Sequence, residues 1–381
     1  MSPIGILCLA LTVGGAAAQD PSWLEQQPPS LWPSERRDAG FRQMHRVYTS
    51  NTVPAGGKVH AFAAGTPLTT SLDVNTYMES QRASGLIIVQ DNKIRLEKYA
   101  RGFDERGRWT SMSIGKSVSS TLVGAAIKDG YIKSLDDKIT TYIKELKGSA
   151  YEDVTIRHLL TMTSGMKWDE TYTNPNSDNV RLRYEPVRPG SNATVSYLRR
   201  LTREVPPGTR WLYNSGDTEL IGVLLTQATG KTLSAYLSEK IWKPYGMEQS
   251  AYWDLTPSGV ERSGGGMSVT LRDYARFGQF ILDGAKVAGG TSIVPPDWIA
   301  QATTKQTDMG VPGQGYGYLW WTNDDGTFAA RGIFGQSVFI DGKRRLIIAT
   351  TGNWPAPTDA PLSVARTAFW RTVQADIDAR R

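Results

Sequence analysis

A chain of 381 residues with 40% apolar and 21% charged residues and a mean hydropathy of −0.35 has the composition of a globular protein and is long enough to bury a large core. Its 43 basic and 37 acidic residues leave a net charge of +6, but the basic residues are scattered, which argues against a nucleic-acid role. The single cysteine, Cys8, falls in an N-terminal apolar segment, so a mature chain cut after that segment would have no disulfide, thiol nucleophile or Cys-bound zinc.

The N-terminus reads "MSPIGILCLALTVGGAAAQDPSW", an apolar stretch followed by an A-x-A-like site. This predicts a signal peptide over 1–18 and export to the periplasm or beyond. No later apolar run reaches membrane-spanning length. Residues 19–68, rich in Pro, Gln, Ser and Gly, are expected to form an irregular extension. "SGLIIVQDNKIRLEKYARG" then gives two β-rich runs around Asp91-Asn92, a hairpin signal that starts a sheet. Helical spacing follows from Ser113, again in "DGYIKSLDDKITTYI", and in several segments up to "TLRDYARFGQFILDG". After "VPPDWIAQATT" the pattern returns to strands, and "PLSVARTAFWRTVQADIDA" closes the chain as an amphipathic helix suited to packing on the sheet. The expectation is one body over 69–381 with an α/β fold of composite α+β type. Its antiparallel sheet is drawn from about 69–112 and 290–381, its mostly helical subdomain from about 113–289, and a site lies in the cleft between them.

The chemistry centres on "SMSIGKSVSS", residues 111–120. A hydroxyl nucleophile needs a base, and the chain has three histidines. His45 and His60 fall in the extension, and His158, inside "IRHLL", suits packing or capping. With no G-x-S-x-G elbow, a Ser-His-Asp triad and a histidine metal site are both disfavoured. Ser113 and Lys116 stand three apart, so on a helix they share a face. A buried lysine loses affinity for its proton, and the helix N-terminus favours a developing oxyanion. A second S-x-x-K, Ser164 to Lys167, carries Gly165 directly after its serine, a sign of a helix ending. These residues alone leave open whether Ser113 is a nucleophile or part of a polar helix surface.

Five ordered segments extend the pattern: "WTSMSIGKSVSSTLVGAAIKDGYIKSLDDKITTYI", "VTIRHLLTMTSGM", "PPGTRWLYNSGDTELIGVLL", "GGGMSVTLRDYARFG" and "RGIFGQSVFIDG". Their succession, over about residues 70–381, resembles the β-lactamase-related serine hydrolases, which include class C β-lactamases, D-Ala-D-Ala carboxypeptidases, esterases and 6-aminohexanoate-dimer hydrolases. The resemblance implies a β-lactamase/transpeptidase-like fold with Ser113 as acylated nucleophile, Lys116 as its activating amine and Tyr213 of "WLYNSG" as proton relay. Tyr172-Thr173-Asn174 is a competing Y-x-N, but the "PPGT" before Tyr213 and the apolar helix after it match the family frame. Ser215 stands where the family usually has Asn. The family's K-T-G or H-x-G element falls on Ala330-Arg331-Gly332, which removes its cation; Arg331 should face away if strand alternation holds. Gly332 still permits close approach of substrate, and the N–H groups of Ser113 and Ile333 would hold the oxyanion.

These departures and "WDETYTNPNSD" look most like the 6-aminohexanoate-dimer hydrolase and carboxylesterase branch, in which Tyr172 would contact substrate. The implied activity is cleavage of a small ester or linear amide through an acyl-enzyme, with neither metal nor organic cofactor. The alternatives are a β-lactamase or D-Ala-D-Ala carboxypeptidase and, in another class, a non-catalytic penicillin-binding-like sensor. Trp168, Trp320 and Trp321 fit either an apolar acyl pocket or core packing. The sequence sets no oligomeric state.

Overall fold

The computed structural model describes residues 27–380; the expected signal peptide and Cys8 lie outside them. The strands of the described residues are β1 (Ser50–Val53), β2 (Ala63–Ala64), β3 (Ala83–Gln90), β4 (Lys93–Tyr99), β5 (Trp109–Thr110), β6 (Ala251–Asp254), β7 (Met267–Val269), β8 (Thr307–Asp308), β9 (Gln314–Tyr316), β10 (Trp321–Asn323), β11 (Phe328–Arg331), β12 (Ser337–Asp341) and β13 (Leu346–Gly352). The helices that matter for the site are α1 (Ser34–Arg42), α2 (Ile114–Lys128), α3 (Ser215–Thr229), α4 (Leu271–Leu282) and α5 (Ala360–Asp378).

A sheet ordered β2-β4-β3-β13-β12-β11-β10-β9-β8 joins the two ends of the chain. It is antiparallel except where the short β2 runs parallel to β4. Asp91 and Asn92, both at positive φ, make the tight turn between β3 and β4, as the dipeptide predicts. β3 reads as a continuous buried run because both its faces are covered. Leu86 and Ile88 pack with Phe369, Trp370 and Val373 of α5, whereas Ile87 and Val89 join the main core on the α4 side. The same alternation puts Ala329 toward α5 and Ala330 into the main core.

Two parts of the chain differ from expectation. The extension is not irregular throughout: it carries α1 and β1, and Trp32 and Phe41 are buried in the main core. Arg37 fixes it by donating to Asn353 Oδ1 at 2.7 Å and to the carbonyls of Trp354 and Pro355. β1 starts a second sheet, β1-β6-β7-β5, so the region 113–289 holds strands as well as helices. The helix expected after Asp136 is replaced by two 3-10 turns, Ile139–Thr141 and Lys144–Leu146. There Asp137 accepts from Ser134 N and Tyr142 Oη, and Ile139 N bonds Val154 O, so side chain and long-range backbone outcompete an Ile-Thr-Thr helix.

Candidate active site

α2 starts at the floor of a pocket, and its first residues are set by backbone strain and close packing. Met112 is held at φ +43, an unfavourable value for a side chain of its size, immediately before Ser113. Asn214, Thr270 and Asp359 each cap their helix by accepting a backbone N–H, but the N-cap Ser113 makes no side-chain capping bond. Tyr213 lies close enough to Ser113 for the serine hydroxyl to act on the phenol, favouring its ionised form. Gly332, directly after β11, packs against this corner: a Cβ there would lie 2.8 Å from Ser111 O and 3.0 Å from Ser113 N. Only glycine lets the backbone approach Ser113 this closely. Ile333, the next residue, lines the same pocket.

Lys116 is 2% exposed. Its Nζ donates to Ser215 Oγ at 2.9 Å and to Gly264 O at 3.0 Å, and lies 5.2 Å from the centre of the Tyr213 ring. Burial pulls its pKa down to about 8, opposed by the negative charges of Glu170 and Glu219. About a tenth of the amine is therefore neutral at pH 7, far more than for an unperturbed lysine. Burial raises Tyr213, with the Glu170 charge acting in the same direction and the Ser113 hydroxyl opposing, so the phenol keeps its proton. The hydroxyl, rather than a phenolate, is the form of Tyr213 in this site.

The residues singled out in the sequence thus converge. Ser113, Lys116, Tyr172, Ser215 and Ile333 line one pocket, Gly332 backs it, and Tyr213 lies beside Ser113 and the Lys116 amine. Trp321 stacks on Tyr213 at 5.7 Å, and Trp168 donates to Glu170, but Trp320 packs against Phe277 in the core. Arg331 lies on the other face, its guanidinium 5.6 Å from the Trp370 ring of α5, so the cation missing at Ala330 is not replaced from this strand. The second S-x-x-K lies beyond the helix Ile156–Leu160, with Gly165 at φ +77. The histidines are structural: His158 forms a capping box with Thr155, His45 stacks on Tyr252 and His60 on Tyr245.

Three groups were not legible as site residues. Glu170 accepts from Ser215 N at 2.9 Å and Ser215 Oγ at 2.5 Å, and its charge helps burial to raise the Tyr172 phenol. It anchors the loop bearing Tyr172 to the start of α3. Ser30 of the N-terminal segment, which donates to Tyr172 O at 2.7 Å, forms another wall with Pro28 and Pro29. Gly264 receives Lys116, and Gly265 packs so closely that a Cβ on Gly115 would meet its Cα at 3.0 Å. The "GGG" run was the one visible signal for this last contact.

Among the described residues no helix is long and apolar enough to cross a membrane. The chain is 27% identical over 382 residues to the 6-aminohexanoate-dimer hydrolase of Paenarthrobacter ureafaciens, covering 95% of this chain and 94% of that one. It is 24% identical to the esterase EstB of Burkholderia gladioli over 320 residues, or 66% of this chain and 79% of that one. A Bacillus anthracis structure assigned as a 6-aminohexanoate-dimer hydrolase superposes with a TM-score of 0.79 at 22% identity, covering 89% of this chain and 94% of that chain. The octameric penicillin-binding protein homologue of Pyrococcus abyssi superposes at 0.60 with 19% identity, over 79% and 78% of the two chains. Both likenesses agree with the β-lactamase/transpeptidase-like fold expected from the sequence. The Beta-lactamase family model matches residues 73–368, and the chain belongs to that family of serine hydrolases.

Proposed function

We propose that the protein hydrolyses an ester or linear amide through an acyl-enzyme on Ser113. The observation that carries this reading is Ser113 sharing a pocket with Lys116, an amine whose burial brings its pKa to about 8, with the Tyr213 ring 5.2 Å from that amine. Ser113 Oγ attacks the carbonyl carbon while its proton passes through Tyr213 toward neutral Lys116. The N–H groups of Ser113 and Ile333 receive the oxyanion at the N-terminus of α2. Collapse of this adduct breaks the bond to the leaving alcohol or amine, which takes the proton back through Tyr213. Water, deprotonated by the same path, then releases the acid and restores Ser113.

Lys116 donates to Ser215 Oγ and its Nζ lies 5.2 Å from the centre of the Tyr213 ring, which supports a route to Ser113 by way of Tyr213. Ala330 leaves β11 without the cation that serves β-lactamases and carboxypeptidases at this position, which favours esters and linear amides over β-lactams. The likeness to a 6-aminohexanoate-dimer hydrolase and to an esterase supports the same branch.

A fluorophosphonate probe tests the acyl-enzyme. Wild type should be labelled and Ser113→Ala should not; an unlabelled wild type, or equal labelling of both, would sink the reading. A short-chain p-nitrophenyl ester should then be turned over faster than a chromogenic cephalosporin.

A further inference from the structure

The wall of the pocket away from β11 holds a cation that the reaction above does not use. Arg183, the last residue of the helix Asp178–Arg183, is 5% exposed and lines the pocket that contains Ser113. None of its three guanidinium nitrogens has a hydrogen-bond partner, and no acid lies within ion-pair distance among the described residues. Its guanidinium sits 4.2 Å from the centre of the Tyr48 ring. That stacking engages the face of the group and leaves the N–H donors around its edge without partners, each nitrogen itself closed off from solvent. A buried guanidinium with idle donors is costly unless something fills them.

The surroundings indicate what would fill them. Arg262 lines the same pocket, and the charges of Arg183 and Arg262 act on each other. Lys116, Arg183 and Arg262 face one acid in the pocket lining, Glu219, whose carboxylate is already taken by the N–H groups of Ser263 and Gly264. Asp254 is near both arginines but fully buried, with neither carboxylate oxygen bonded. Burial raises its pKa to about 7 against the pull of both arginines, so it offsets only part of their charge near neutral pH.

We propose that Arg183, supported by Arg262, is a specificity-determining subsite for a free carboxylate carried by the substrate, so that the protein prefers acidic esters or amides over neutral ones. This rests on the hydrolase reading above for the position of the scissile bond. A guanidinium fork matches a carboxylate with two parallel hydrogen bonds, which a neutral substrate would leave unmade.

The full-length protein is tested on two matched ester pairs. Mono-p-nitrophenyl adipate against p-nitrophenyl hexanoate puts the carboxylate on the acyl chain. The 4-carboxyphenyl against the 4-carbamoylphenyl ester of hexanoic acid puts it on the leaving group. In at least one pair kcat/KM for the acid should exceed that of its neutral partner by about tenfold or more. Arg183→Gln should bring that ratio toward one, and Arg183→Lys should keep an intermediate value. Equal rates within both pairs, or a preference that Arg183→Gln leaves intact, overturns the proposal. Calorimetric titration of Ser113→Ala with monomethyl and dimethyl adipate reads recognition without chemistry. Binding of the acid alone, weakened about tenfold by adding Arg183→Gln, supports the subsite, whereas equal binding or none overturns it. Acid-selective binding in a protein that no fluorophosphonate labels would defeat the hydrolase reading and uphold the subsite; labelling with no acid preference would do the reverse.

Discussion

Lys116 and Arg183 are cations buried on two walls of one pocket, and the fold treats them in opposite ways. Lys116 has two fixed acceptors, Ser215 Oγ and Gly264 O, with the Glu170 and Glu219 charges nearby. Arg183 has an aromatic face and no acceptor. The comparison separates preorganisation for chemistry from readiness for a ligand. In the proposed reaction, the amine that must lose and regain a proton in every cycle is held still by its neighbours. A group that completes its hydrogen bonds only with substrate is left with open donors.

Removing the held amine gives the largest expected effect. Lys116→Met should lower kcat/KM for a neutral p-nitrophenyl ester by about a thousandfold or more, because Ser113 and the Tyr213 relay lose their final proton acceptor. Stability should move the other way. The pKa of Lys116 is about 8 in the fold against 10.5 when unperturbed, so the fold holds the protonated amine at a cost. That cost is full below pH 8 and fades as the pH rises from 8 to 10.5. The urea midpoint of Lys116→Met at pH 7 should equal or exceed that of wild type, the two stranded acceptors limiting the gain. A lower midpoint would show that the buried charge is not a burden.

Gly332→Ala comes next. Its Cβ would press on Met112 and Ser111 O, both 2.8 Å away in an ideal placement, and push β11 from the nucleophile. A displacement of this kind should reduce kcat by roughly 10- to 100-fold with little change in KM. A change confined to KM would mean that the strand end binds substrate without helping to hold the oxyanion. A smaller effect concerns the pH profile of wild type. Hydrolysis of the neutral ester should rise with pH through a midpoint near 8, where Lys116 is half neutral, and level off above it. A limb that keeps rising to pH 10 would place the amine at its ordinary value.

The legible half of this pocket follows the same division. Ser113 and Lys116 lie on one helix face, and Tyr213 precedes a well-capped helix; such relations are local in the chain, so spacing carries them. The sheet was legible for a similar reason, since β3, β12 and β13 are long apolar runs and the Asp91-Asn92 turn is encoded by two residues. Glu170, Ser30 and Arg183 act through partners set by tertiary packing. The carboxylate of Glu170 meets Ser215, 45 positions away, across a loop with no periodic pattern, and the Ser30 contact with Tyr172 spans 142 positions. Arg183 looked like one of many scattered basic residues, and only its burial without partners sets it apart. The 3-10 turns after Asp136 were misread because the helical period was present, but the β-branched residues and the Asp137 bonds decided the local structure.

The finest test asks which charges tune Lys116. Glu170 favours the protonated amine and Arg262 disfavours it, so replacing each should move the acid limb in opposite directions. Glu170→Gln removes the charge that supports the ammonium, and the limb should shift below 8 by up to about one unit. It should also lower the plateau by about tenfold, since one amide oxygen cannot serve the Ser215 and Trp168 donors that the carboxylate accepts. Arg262→Gln removes a like charge, and the limb should move above 8 by less than the Glu170 shift, as the weaker of the two influences. The sign of each displacement carries the argument, because damage to folding lowers a plateau but does not move two limbs apart. Shifts in the same direction would mean that burial alone sets the lysine and that the anionic and cationic sides of the pocket are not electrostatically coupled to the reaction.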